Sequence, residues 1–165
     1  MRLKTVEKIY RQRPKNCRIL GVDFGLKRIG LAISNPGQDT ASPAGTIKRQ
    51  NFKLDMDDFT AIVRDYEACG FVFGWPLNMD GTQGAMCERV RSFIDELVKY
   101  PDIIGNSPWI AIFDERLSTQ SVEDYLVKNV DMSRTKRKRV IDKLAAQKIL
   151  QSALDRMQQL DAHQA

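Results

Sequence analysis

Three acidic residues stand at positions whose surroundings in the sequence are otherwise apolar. Asp23 interrupts the apolar run of residues 18–24, and Glu115 follows closely on the apolar run 110–113. Asp142 falls on the apolar face of a long helical pattern when the sequence is projected at 100° per residue. Carboxylates from three separate elements, with no histidine among them, predict a site for one or two hard divalent cations, Mg²⁺ or Mn²⁺.

A purely structural role is the alternative for each acid. Asp23 could be satisfied by a nearby lysine or by backbone N–H groups in the turn at Gly25. The tripeptide 114–116 could be a solvated turn, and Asp142 could stabilise a helix N-terminus. Only one acid of the pair 114–115 can point into a site, and Glu115 has the longer reach. Its place after an apolar strand is where open α/β sheets bind ligands.

Nucleophilic catalysis and zinc chemistry have few candidates in this chain. The single histidine, His163, is expected to be a solvated residue of a polar tail. The cysteines at 17, 69 and 87 form no CxxC pair and are odd in number, so we expect reduced thiols, two of them as partly buried apolar residues. Carboxylates, lysines, arginines or a metal must therefore carry the chemistry.

The elements that must position these acids follow from the hydrophobic pattern. Two strands separated by a short turn predict a hairpin, and further strands then alternate with helices. Strands are predicted at 18–24, 28–34, 44–48, 71–73 (stopped by Gly74) and 109–113; helices at 54–68 (capped by Gly70), 82–100, 118 or 119 to 128, and 139–160. An antiparallel meander followed by strand–helix units predicts a mixed α/β sheet with helices on both faces.

Length and composition fit one globular domain. The 165 residues carry a formal charge of +5, with 42% hydrophobic and 28% charged residues, which excludes a disordered chain. Neither a membrane span nor the apolar core of a signal peptide is present in the sequence, so we expect a cytoplasmic protein. The expected organisation is a basic arm at 1–17, a domain at 18–160 and a tail at 161–165.

A cluster of positive charge precedes Asp142. Its members are Arg134, Lys136, Arg137, Lys138 and Arg139. Such a run is commonly a solvated face, but with a sequence pI near 9.2 it also favours a phosphate backbone as partner.

Four motifs in order resemble one known family. They are Val22-Asp-Phe-Gly-Leu-Lys-Arg-Ile-Gly-Leu-Ala32, Gly74-Trp-Pro-Leu-Asn-Met-Asp-Gly81, Asp114-Glu-Arg-Leu-Ser-Thr119 and Asp142-Lys-Leu-Ala-Ala146. Together they look like the RuvX family, also called YqgF, over about residues 18–155. The resemblance implies an RNase H-like fold with a five-stranded sheet, similar to Holliday-junction resolvases of the RuvC type.

The resemblance also implies a function and a site. It implies a metal-dependent nuclease that matures the 5′ end of pre-16S rRNA, and thus a nucleic-acid partner with RNA favoured over a DNA junction. Asp23, Glu115 and Asp142 match the family's acidic positions, and Lys27 and Arg28 match its basic turn. Arg116 is a further candidate for binding the nucleic acid.

The sequence departs from the RuvC type at two points and leaves other functions open. RuvC-type enzymes carry an acid where this chain has the stretch ending at Asn78, and a second acid on the last helix where this chain has Ala145. A Holliday-junction resolvase, which requires a dimer, and a non-catalytic nucleic-acid-binding module are the alternatives. We expect a monomer or a weak homodimer. An actin-like ATPase is excluded because 165 residues are too few for its two domains.

Overall fold

A single mixed sheet of six strands organises the described part of the chain. The computed structural model describes residues 2–116 and 134–164, and side chains only at 2–116 and 144–163. The strands are β1 (Lys4–Thr5), β2 (Arg18–Phe24), β3 (Arg28–Ser34), β4 (Ala41–Lys48), β5 (Ala68–Trp75) and β6 (Trp109–Asp114). Their order across the sheet is β1-β6-β5-β2-β3-β4, and β6, β5 and β2 run parallel.

The antiparallel part of the sheet is the predicted meander. Strands β2 and β3 have the predicted bounds, and Asp23 pairs with Gly30 across them. The Gly25 N–H donates to the Arg28 carbonyl (2.9 Å), and a Cβ at Gly25 would lie 2.7 Å from that oxygen. Only glycine therefore fits this turn without displacing the backbone.

The sixth strand comes from the segment expected to be a basic arm. Strand β1 pairs in parallel with β6, with Lys4 opposite Ala111, and the Trp109 indole N–H donates to the Ile9 carbonyl (2.7 Å). A strand of two residues shows no alternation of polar and apolar residues, so the hydrophobic pattern could not predict it. The division at 1–17, 18–160 and 161–165 remains a prediction.

Five helices accompany the sheet in the described residues. They are α1 (Val6–Ile9, continued by a 3-10 turn at Tyr10–Gln12), α2 (Phe52–Tyr66), α3 (Ala85–Leu97), α4 (Pro101–Ile104) and α5 (Arg134–Gln164). None of the described helices combines the length and the apolar character needed to cross a membrane. The helix predicted from 118 or 119 to 128 lies outside the described residues.

Several predicted boundaries are wrong. Helix α2 ends at Tyr66 and is capped by Glu67, whose φ of 53° is left-handed, so Gly70 is a residue of β5 and not a cap. Strand β5 continues through Gly74 to Trp75 because both residues pair with β6, opposite Phe113 and Asp114. Helix α5 begins at Arg134 rather than 139, since lysine and arginine are good helix formers, and the basic run is part of the helix.

The predicted mixed α/β sheet with helices on both faces is confirmed. One apolar core joins the sheet to α2 and α3 around Phe59, Phe73 and Phe93. The other joins it to α1 and α5, where Leu150 packs so closely that a Cβ at Gly21 would lie 2.6 Å from the Leu150 Cβ. Helix α5 is thereby held tightly against the middle of the sheet.

The prediction of three reduced thiols is wrong for two of them. Cys17 and Cys69 form a disulfide with Cα atoms 6.1 Å apart. The two residues are brought together because β2 and β5 pair with Arg18 opposite Ala68, which the sequence pattern alone could not show. Cys87 is a buried free thiol, as expected.

Distant segments of the chain meet beside α5. The buried Arg13 pairs with Asp161, which lies 148 residues later, and its guanidinium also donates to the Tyr10 carbonyl (2.7 Å). His163 is exposed, as predicted, but it belongs to α5 and not to an irregular tail.

Candidate active site

Two of the three predicted acids meet at the carboxyl end of the parallel strands. Asp23 lies near the end of β2, and Glu115 directly follows β6. Strand β5 lies between these two strands, so the Glu115 side chain must pass over it to reach Asp23. A hydrogen bond then links the two carboxyl groups.

Gly74 on β5 provides the space for this crossing. A Cβ at Gly74 would overlap the Glu115 Oε2 atom and would also lie 2.9 Å from the Ile149 Cδ1 atom. Gly74 does not have a positive φ, so what the position requires is the absence of a side chain. Sequence reasoning interpreted Gly74 only as the end of a strand and missed this role. The sequence did contain a signal for it, since Gly74 ends the apolar run 71–73 at the same edge of the sheet as the two acids.

The Glu115 carboxyl is in an unfavourable environment for a negative charge. Burial, followed by the charge of Asp23 and the hydrogen bond to it, raises the pKa of Glu115 to about 8. Its Oε2 atom is buried and has no hydrogen-bond partner among the described residues. At neutral pH the metal-free protein therefore keeps a proton on Glu115.

An orphaned carboxylate oxygen beside a second carboxylate suits a hard cation. A cation would compensate the burial and the charge repulsion that raise the pKa of Glu115, and the donors are all oxygen atoms. The side chains described at 2–116 and 144–163 contain no group of three potential metal ligands. Residue 142 lies on α5, but its side chain is outside the described residues, so the predicted role of Asp142 as third ligand stays a prediction.

Asp114 turns away from this pair. The Arg116 guanidinium donates to both Asp114 carboxylate oxygens (2.9 and 3.1 Å from Nε, 2.7 Å from Nη2) and lowers the pKa of Asp114. Glu115 thus points inward and Asp114 does not, as the sequence predicts. Arg116 is only partly exposed, and the ion pair fixes its position beside the acids.

The predicted basic turn lies next to Asp23 in the chain. Lys27 is exposed and Arg28 is half-buried at the start of β3. Arg49 braces this turn, since its backbone N–H donates to the Lys27 carbonyl (2.9 Å) and its guanidinium donates to the Gly25 carbonyl (3.2 Å). The other predicted basic residues, Arg134, Lys136, Arg137, Lys138 and Arg139, lie in the first turns of α5 with side chains outside the described residues.

The loop after β5 borders the site on the other side. Asn78 and Thr82 close it through a backbone hydrogen bond (2.9 Å) and a side-chain hydrogen bond (3.0 Å). Gly81, with a φ of 87°, brings this loop to Arg116, whose Nη1 would be 3.6 Å from a Cβ at position 81. The motif 74–81 therefore makes room for Glu115 at its first residue and lies against Arg116 at its last.

Sequence comparisons agree with the resemblance noted from the motifs. Residues 17–156 match the sequence model of the RuvX family, which is described as "Holliday junction resolvase". A protein of Rhodospirillum centenum named "Putative pre-16S rRNA nuclease" is 44% identical over 162 residues, which cover 98% of this chain and 86% of the relative. A protein of Phenylobacterium zucineum with the same name is 40% identical over 89% of this chain and 92% of that relative.

Comparison with solved structures concerns the fold alone. The fowlpox virus Holliday junction resolvase has a TM-score of 0.50 and 14% identity, covering 84% of this chain and 99% of that one. The similarity supports the predicted RNase H-like fold, with six strands in the sheet where five were predicted.

Proposed function

The chain belongs to the RuvX family of nucleases, and we propose that it hydrolyses phosphodiester bonds in structured RNA with the help of a divalent cation. The observation that carries the proposal is the buried Oε2 atom of Glu115, beside Asp23, for which the described part of the chain offers no hydrogen-bond partner. A site that only stabilised the fold would satisfy this oxygen.

We propose Mg²⁺ or Mn²⁺, as one or two ions, held by Asp23 and Glu115 with Asp142 as the third ligand. When bound, the cation supplies a Lewis acid that activates water and neutralises charge on the leaving oxygen. Fewer acids than in the RuvC type are available, because the loop after β5 offers Asn78 and α5 has Ala145. Ala145 is buried in the helix, so no acid from that position joins the site.

The protein's own residues prepare this site. Glu115 would release its proton to solvent on holding the cation. The Ile149 Cδ1 atom, 2.9 Å from where a Cβ at Gly74 would lie, packs beside the buried carboxyl group. Arg116, held by its hydrogen bonds to Asp114, would contact a phosphate beside the acids. Lys27 and Arg28 would contact the backbone on the other side.

Structured RNA, and the 5′ end of pre-16S rRNA in particular, is the proposed substrate. The names of the two relatives support it, at 44% and 40% identity. The basic run Arg134, Lys136, Arg137, Lys138 and Arg139 would contact phosphates that pass over the start of α5. We propose a cytoplasmic protein that acts as a monomer or a weak homodimer.

The test is cleavage of two matched substrates, a pre-16S rRNA fragment and a four-way DNA junction, with and without Mg²⁺ or Mn²⁺. We expect metal-dependent cleavage of the RNA that is abolished in Asp23→Asn and Glu115→Gln. Asp114→Asn is the matched control, because that acid lies one residue away and faces Arg116. It should retain cleavage with at most a higher KM.

A Holliday-junction resolvase is the second candidate, because the family description names that activity. Resolution requires two symmetry-related sites and hence a dimer. Cleavage of the junction alone, by a species that sediments as a dimer, would favour this function over RNA processing. Binding without cleavage of either substrate would favour a non-catalytic nucleic-acid-binding module.

A further inference from the structure

A basic cavity lies at the sheet edge, at a distance from the acids. It has a volume of about 470 Å³ and is bounded by β1, α1 and the beginning of β6. Arg2, Lys4 and Lys8 line it together with polar groups of Gln12 and Ser107. No acidic side chain lines it among the described residues.

The three cations are not neutralised within the described part of the chain. Arg2, Lys4 and Lys8 are exposed, and none of them forms an ion pair there. The neighbouring acid, Glu7, points elsewhere and pairs with Arg156 on α5 at 3.6 Å. Uncompensated cations converging on one concave surface favour an anion with several oxygen atoms, such as a phosphate.

The base of the cavity is rigid. Trp109 is buried there, and its indole N–H is held by the Ile9 carbonyl (2.7 Å). Lys4 belongs to β1 and is fixed by the pairing with β6 opposite Ala111. The backbone that carries Lys4 is therefore in place before any ligand arrives, which lowers the entropic cost of binding.

The cavity lies along the same strand that leads to Glu115. Strand β6 runs from Trp109 at the cavity to Asp114 beside the acids. At about 3.3 Å per residue, the β6 residues that line the cavity, Trp109 and Ile110, are roughly 16 to 20 Å along the strand from Glu115. Phosphates of one strand in a DNA duplex advance about 3.4 Å each along the axis, and on that scale the distance corresponds to roughly five or six nucleotides.

We propose that this cavity binds backbone phosphates of the same nucleic-acid substrate, a few nucleotides away from the scissile bond. The inference rests on the proposed function, because it assigns the cavity to that substrate. The contacts involve phosphates only and would fix the position of the strand without reading its sequence.

The test compares two variants that lose the same charge. The cavity variant is Arg2→Gln/Lys4→Gln/Lys8→Gln, and the control is Lys53→Gln/Arg64→Gln/Lys99→Gln, whose residues are exposed on α2 or follow α3. Fluorescence anisotropy with a 16-base-pair RNA duplex in EDTA, from 0.05 to 0.3 M salt, measures affinity without cleavage. Urea unfolding checks that both variants are folded.

We expect the cavity variant to lose affinity and the control to keep it. Each phosphate contact with a duplex contributes about 0.9 to the slope of log K against log salt. A single contact therefore makes binding roughly eightfold tighter at 0.1 M salt than at 1 M salt. Loss of one or two contacts should flatten the slope by about 1 to 2. The charge-conserving pair Lys4→Arg/Lys8→Arg should bind like the wild type. Equal losses in the cavity and control variants would show a general charge effect and overturn the proposal.

Two further arms separate the possible failures. Calorimetric titration with inorganic phosphate should show binding much weaker than that of the duplex; equally tight binding, lost in the cavity variant, would assign the cavity to free phosphate and overturn the proposal. A wild type that binds and cleaves RNA while the cavity variant binds normally overturns this inference and leaves the function intact. A wild type that neither binds nor cleaves nucleic acid overturns both.

Discussion

Replacing Gly74 by alanine tests whether the space above β5 exists for Glu115. The new Cβ would overlap the Glu115 Oε2 atom and lie 2.9 Å from Ile149 Cδ1. Overpacking of a buried site costs about 1 to 3 kcal/mol. The backbone at Gly74 does not have a positive φ, so alanine adds no conformational strain. Alanine also restricts the unfolded chain, which would raise the free energy of unfolding by at most about 1 kcal/mol.

The Glu115→Ala background separates the two contacts. With the carboxylate removed, only the end of the Ile149 side chain opposes the new methyl group, and a flexible side chain can move away. We therefore expect Gly74→Ala to cost less in Glu115→Ala than in the wild type, with a coupling energy of about 1 to 2 kcal/mol.

Urea unfolding of the four proteins in EDTA at pH 6, where Glu115 is protonated, measures this cycle. In parallel, the thermal shift produced by Mn²⁺ should be large for the wild type and strongly reduced for Gly74→Ala, because the displaced carboxylate no longer faces Asp23. Additive free energies, within about 0.5 kcal/mol, together with an unchanged Mn²⁺ shift would refute the assignment of Gly74 to Glu115.

Three other perturbations have defined outcomes. Because the pKa of Glu115 rises from 4.5 to about 8 on folding, its contribution to the stability of the metal-free protein should be greatest below pH 4.5 and fall by about 1.4 kcal/mol per pH unit between 5 and 8. From pH 5.5 to 7.5 the wild type should thus lose roughly 3 kcal/mol more than Glu115→Gln in chemical unfolding, and parallel curves would contradict the assigned pKa. The chain unfolded without reductant should show one titratable thiol, and Cys17→Ser should lower the free energy of unfolding by about 4 kcal/mol for a closed loop of 52 residues; three thiols would exclude the disulfide. Replacing the basic residues of 136–138 by alanine should flatten the salt dependence of RNA binding by roughly two units, at about 0.7 per contact on single strands, whereas an unchanged slope would indicate a solvated face.

Local signals in the sequence were sufficient for the hairpin and the placement of Glu115. The run 18–24 and the run 28–34 are apolar and are separated by a turn that only a glycine at position 25 can form. Glu115 follows a buried strand, and its longer side chain accounts for its inward position. In both cases the determining interactions lie within a few residues along the chain.

Features that depend on distant segments could not be predicted. The disulfide between Cys17 and Cys69 results from parallel pairing of two strands, and the strand at Lys4 exists only because β6 offers a free edge. The space at Gly74 is defined by a carboxylate from one neighbouring element and a methyl group from α5. A contact among three residues from different elements leaves no periodic pattern in the sequence, so it could not be predicted.

The contact between Arg13 and Asp161 has a consequence for the timing of folding during synthesis. The partner of Arg13, Asp161, is synthesised 148 residues later, and the partner of the Ile9 carbonyl, Trp109, is synthesised 100 residues later. At about 5 to 20 residues per second, the ribosome needs roughly 7 to 30 s to produce the partner of Arg13. The basic cavity needs residues 107–110 beside the first residues of the chain, so it can bind RNA only after the chain through β6 has emerged from the ribosome.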